Sequence, residues 1–166
     1  LTGSDLMTPQ FCLMMAEAQL RAGRPGEALA ALSRGLRYVD THQERAHEPE
    51  LHRLRGEILI AQGAGAAGEA SLRRAIERAQ AQQAKMLELR AAIALARLRR
   101  DQGQAAESAA LLQPLEAWFQ EGRDLPELVE ARAILASLGH AAPSSVGPIS
   151  SSAQPEAIES QPGARP

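Results

Sequence analysis

The chain has 166 residues, 45% of them hydrophobic, enough for one domain with a core of its own. Its 18 basic and 20 acidic residues leave a net charge of -2, which excludes a broad electrostatic attraction for a phosphate backbone. There is no apolar run of the ~18 residues a membrane span needs, and Cys12, the only cysteine, excludes an intrachain disulfide.

Alanine is plentiful and the aromatics are only Phe11, Tyr38, Trp118 and Phe119, a composition that favours closely approaching helices. An all-α fold is expected. Residues 1–8 form a polar flank that reads as the end of a longer protein. Thr8 followed by Pro9 is a helix start, an N-cap hydroxyl before a proline whose missing N–H costs nothing there, and it predicts a helix over 9–22 that ends at Gly23. Pro25 opens a second helix with Ala28, Leu29, Leu32, Leu36 and Val39 on one face, followed by a polar connector over 40–49.

The third helix carries Leu51, Leu54, Ile58 and Leu59 and stops near Gly63, and the fourth presents Leu72, Ala75, Ile76 and Ala79. A long fifth helix is predicted over 84–102, packing through Leu89, Ile93, Ala96 and Leu98. The sixth begins near Ala105 and meets Pro114, where a kink or break is expected. Asp124 with Glu127 forms a capping box for a last helix. Its Leu125, Leu128, Val129, Ile134, Leu135 and Leu138 are suited to closing the end of a stack. Residues 140–166, rich in proline, serine and glycine, cannot bury enough apolar surface to offset ordering entropy and are read as a disordered tail.

These helices repeat. Gly23, Gly63 and Gly103 recur every forty residues, and in the same frame stand Ala16, Gly56 and Ala96, then Ala28, Gly68 and Ser108, then Leu32, Leu72 and Leu112. Such a period means stacked helical hairpins. The pattern of small residue, glycine turn, small residue and leucine resembles the tetratricopeptide repeat, with a spacing longer than that family's usual thirty-four. Gly35 and Leu115 depart from the alanine the family places in its second helix, and Ser108 and Pro114 make the third copy the weakest. Residues 9–139 are therefore expected to form an α-α superhelix of about three hairpins with a capping helix.

A narrower resemblance rests on MAEAQLRAGRPGEAL, ELHRLRGEILI, LELRAAIALARLRRDQG and PLEAWFQEGRDLPELVEARAIL. These segments look like the C-terminal region of large bacterial signalling ATPases, in which helical repeats follow an ATPase module, often with a nucleotide cyclase or DNA-binding domain at the N-terminus. The resemblance implies a cytoplasmic signalling context and carries over no catalytic residue, since the residues matched belong to none of those domains.

No phosphate-binding glycine loop occurs, and the Gly63–Gly68 run reads as a hairpin turn. His42, His47 and His52 are five apart, and HEPELH has one residue too many for the HExxH zinc arrangement, so a solvated connector is expected instead. His140 has no partner nearby in sequence. Glu17, Glu57 and Glu69 read as surface charges. No catalytic, cofactor or metal residue is assigned. Trp118 and Phe119 are expected to pack between the sixth helix and the capping helix, the rival reading being an exposed binding anchor.

Arginine has a pattern, since Lys85 is the only lysine and Arg90, Arg97 and Arg100 form a stripe on the fifth helix. In tetratricopeptide geometry that stripe would face the concave groove together with Glu17 and Arg21 from the first helix and Arg53 and Glu57 from the third. A protein or peptide partner, acidic or of mixed charge, or another domain of the same polypeptide, is the expected ligand. Binding of single-stranded nucleic acid through the stripe is the alternative, and the lack of aromatic stacking residues on the repeats counts against it.

Overall fold

A computed structural model of the protein describes residues 8–139. The expected 140–166 tail, His140 and most of the 1–8 flank lie outside them. Among the described residues there are seven helices and no strand: α1 Pro9–Arg21, α2 Pro25–His42, α3 Glu48–Ala61, α4 Gly65–Ala81, α5 Lys85–Asp101, α6 Ala105–Trp118 and α7 Pro126–Gly139. None is long and apolar enough to cross a membrane.

Each helix packs on its successor, and α1, α3, α5 and α7 also touch in turn, whereas no two even-numbered helices meet. The odd helices thus form the crowded inner layer of an α-α superhelix, with α2, α4 and α6 outside. The core is correspondingly serial. One cluster joins α1, α2 and α3 around Ala16, Leu32 and Leu51; a second joins α4 and α5 around Leu72 and Leu95; a third joins α5, α6 and α7 around Leu89, Leu112 and Leu128.

The repeated glycines close the hairpins by one shared turn. Gly23, Gly63 and Gly103 have φ of 73°, 82° and 76°. Each donates its N–H to the carbonyl three residues back while the next residue bonds the carbonyl five back, as in Gly23 to Leu20 and Arg24 to Gln19. This is the Schellman closure, which needs a left-handed residue. The α4–α5 connection uses it too, with Gln83 (φ 54°) bonding Gln80 and Ala84 bonding Ala79. Glutamine carries a Cβ penalty there of about 1 kcal/mol. Gln83 is exposed. Gln83→Gly is therefore expected to stabilise the protein by about 0.5–1 kcal/mol in urea denaturation.

Small residues mark where paired helices cross. A Cβ on Gly56 would stand 2.7 Å from Leu72 Cγ, and one on Gly68 would stand 2.8 Å from the Gly56 carbonyl oxygen. In the third hairpin the equivalent pair is Ala96 and Ser108, and the buried Ser108 hydroxyl donates to the Ala96 carbonyl at 2.9 Å. Ser108 thereby satisfies its own hydroxyl.

Three expectations need correction. Pro114 does not break α6, which runs through it to Trp118, because it and Ala110, whose carbonyl loses its helical donor, both face solvent and the freed carbonyl can be hydrated. The polar connector shrinks, since α2 runs on to His42 and α3 already begins at Glu48. Asp124 does not cap α7. The Leu125 carbonyl accepts the Val129 N–H, Pro126 is the first helical residue, and Leu125 and Val129 are exposed, so the end is closed by Leu128, Ala131 and Ile134 with Leu135 and Leu138 packed against them.

Candidate functional site

On the inner layer, α1, α3, α5 and α7 enclose a groove with a cavity of about 410 Å³. Five of the seven residues expected there line it: Glu17, Arg53, Glu57, Arg90 and Arg97. Arg21 and Arg100 do not. Arg21 lies in solvent beside Glu17 at 3.6 Å, and Arg100 turns to its neighbour Asp101 at 2.9 Å. The remainder of the lining is Glu50, Ile93, Glu127 and Glu130.

The arginines in this groove are already engaged. Arg53 donates through Nε and Nη2 to Glu50 Oε2 at 3.0 and 2.8 Å and through Nη1 to Glu57 Oε2 at 2.8 Å. Burial alone would lower its pKa, but the Glu50 hydrogen bonds and the Glu57 charge outweigh burial and hold the guanidinium above its ordinary range. Arg90 donates to Glu127 Oε1 at 2.8 Å, and Arg97 pairs with Glu130, so both latch α7 to α5. The backbone N–H of Glu127 itself and then Arg90 hold the Glu127 carboxyl below the usual range.

Carboxylates nevertheless outnumber guanidinium groups in the lining, five to three. Glu50 is the sharpest case: its side chain is 10% exposed, and its buried Oε1 has no hydrogen-bond partner. The groove is therefore a mixed-charge surface with an acidic excess. Each lining carboxylate also faces a guanidinium, Glu17 through Arg21 and both Glu50 and Glu57 through the single Arg53, so the excess of negative charge lies at the shared Arg53.

The glutamates that sequence reasoning missed follow the forty-residue frame. Glu50, Arg90 and Glu130 occupy one register, and Glu17, Glu57 and Arg97 another. Following the register of Arg90, instead of arginines alone, leads to both Glu50 and Glu130. Its spacing from Asp124 assigns Glu127 to a cap, and only the seating of α7 on α5 brings it to Arg90.

The other candidates separate. His42 ends α2 and stacks on Tyr38 with ring centroids 3.9 Å apart, while His47 precedes α3. His52 is not in a solvated connector: it lies within α3, 13% exposed, with Nε2 4.0 Å from Glu48. Glu48 is itself buried and paired with Arg45 at 3.0 Å and Arg78 at 2.9 Å. No group of His, Cys, Asp or Glu able to hold a metal occurs among the described residues.

Glu69 is more than a surface charge, since it joins Arg73 to the buried Arg99, which also reaches Glu107 at 3.2 Å and ties α4, α5 and α6 together. The aromatic pair divides its roles. Phe119 packs on the C-terminal core, and Trp118, edge-on to it at 4.8 Å, is 57% exposed. Comparison with protein-family models, with curated proteins and with solved structures finds no match for the chain.

Proposed function

We propose that this is a non-catalytic interaction module that holds a cationic segment on its concave face, supplied by a partner protein or by a neighbouring domain of the same polypeptide. The observation that carries the reading is the excess of carboxylates over guanidinium groups in the groove between α1, α3, α5 and α7. Glu50 and Glu57 share the one guanidinium of Arg53, so a partner's lysine or arginine would pair with Glu57 and leave Arg53 on Glu50. The polarity is opposite to that suggested by the arginine stripe, because Glu50, Glu127 and Glu130 stand against it. A superhelix fixed by packed helices presents this surface with little ordering cost on docking.

The resemblance of the quoted segments to the helical region of bacterial signalling ATPases supports a regulatory role in the cytoplasm. Nucleic-acid binding has less support, since Arg53, Arg90 and Arg97 are each committed to a carboxylate.

Fluorescence anisotropy tests the reading with labelled lysine-rich and glutamate-rich peptides of equal length. The lysine-rich peptide is expected to bind, more weakly as salt rises, and to lose about tenfold or more in affinity with Glu57→Lys and Glu130→Lys combined. Preference for the glutamate-rich peptide, or indifference to the double reversal, would overturn it.

A further inference from the structure

A second cavity, about 530 Å³, lies in the valley between α3 and α4. It faces away from the groove: Arg53 lines the groove and Arg55, two residues on and about 200° round the same helix, lines the valley. Ala67 and Ala70 keep one wall of the valley low, and Arg55 from α3 and Arg74 from α4 stand over it.

The charges here are arranged differently from those in the groove. Among the described residues Arg55 has no carboxylate partner, and Arg74 has only Glu77, at a loose 3.6 Å with both side chains more than half exposed. The nearest buried carboxylate, Glu48, is consumed by Arg45 and Arg78. His52 lines the valley with the two arginines, its Nδ1 enclosed without a hydrogen-bond partner. The adjacent Ser71 hydroxyl is fixed by donating to the His52 carbonyl at 2.9 Å.

We propose that this valley is a binding site for a phosphate-type oxyanion, gripped by the guanidinium forks of Arg55 and Arg74 over the His52 ring. Guanidinium groups match such oxygens in bidentate geometry, and two arginines projecting from different helices can address one anion from two sides. Glu77, the only carboxylate lining the valley, is drawn toward Arg74 and leaves Arg55 as the free fork. The proposal is independent of the groove, with which the valley shares no residue.

The test is a titration of the whole chain with inorganic phosphate and, separately, with O-phosphoserine, followed by the His52 ring and Ser71 amide NMR signals. Chloride at matched ionic strength serves as reference. Saturable shifts are expected with at least one phosphate probe and not with chloride. They should weaken at least tenfold in Arg55→Gln/Arg74→Gln, whose exposed positions leave the fold intact, and persist in Arg24→Gln. Tighter binding of O-phosphoserine would assign the anion to a phosphoryl ester, and tighter inorganic phosphate to the free ion. Shifts equal to those with chloride, or unchanged in the double variant, would overturn the proposal.

Discussion

Gly68→Ala is expected to destabilise the protein by about 2–3 kcal/mol and to lower its Tm by roughly 10 °C, although alanine is the better helix former. The new Cβ would lie 2.5 Å from Ile60 Cγ1, 3.0 Å from the Ile60 amide nitrogen and 2.8 Å from the Gly56 carbonyl oxygen. Two of those atoms are backbone and cannot rotate aside, so α3 and α4 must separate and open the contact between Gly56 and Leu72. Overpacking of this kind outweighs the gain of about 1 kcal/mol from helix propensity. Gly26→Ala is the control: it is exposed, its Cβ would meet nothing within 4 Å, and it should stabilise by about 0.4–1 kcal/mol. Thermal and urea melts of both variants decide the matter, and equal, small effects would mean that the helices cross too loosely for the added Cβ to clash.

Acidification should have the second large effect. Burial, only partly opposed by Glu48, lowers the His52 pKa from 6.5 to about 4. Arg55, Arg74 and Arg78 add to the lowering. Between those values the unfolded chain binds the proton that the folded chain refuses, so stability is full above pH 6.5 and falls as the pH drops toward 4. The loss is about 2 kcal/mol by pH 5 and about 3 kcal/mol by pH 4.

Urea denaturation at several pH values should show this slope in the native sequence and lose most of it in His52→Gln. Glu127 acts in a lower window, because its depressed carboxyl contributes stability above the ordinary carboxylate pKa that is lost only as the pH falls through its folded value. A slope unchanged in His52→Gln would move its origin to the carboxylates.

The sequence showed the helices and their order because each boundary has a local chemical cause. Proline stands at the start of α1, α2 and α7, and a left-handed glycine follows α1, α3 and α5. It concealed what depends on the neighbour across a contact. Gln83 makes the same turn without the residue that advertises it. Pro114 reads as a break until its solvent-facing side is known. The groove was half legible: arginines at seven and three mark a face, but whether Arg90 and Arg97 are vacant depends on where α7 brings Glu127 and Glu130. His52 looked like connector chemistry because Pro49 lies close by, yet Pro49 occupies the first turn of α3, where proline is tolerated.

The departures at Gly35 and Leu115 have a consequence for how the hairpins are ordered. Gly35 leaves room for Leu51, whose side chain would lie 3.0 Å from any added Cβ. Forty-residue steps carry the pair to Ala75 with Ala91 and then to Leu115 with Ala131, the last two sharing one core cluster. The leucine thus stands on the following helix at the first joint and on the preceding helix at the last. The joints are keyed, and the units are not interchangeable: seating the Leu51 surface on the Leu115 surface would set two leucines where there is space for one. Sequence similarity among the hairpins therefore coexists with a fixed order of assembly, written in side-chain volume at the seams.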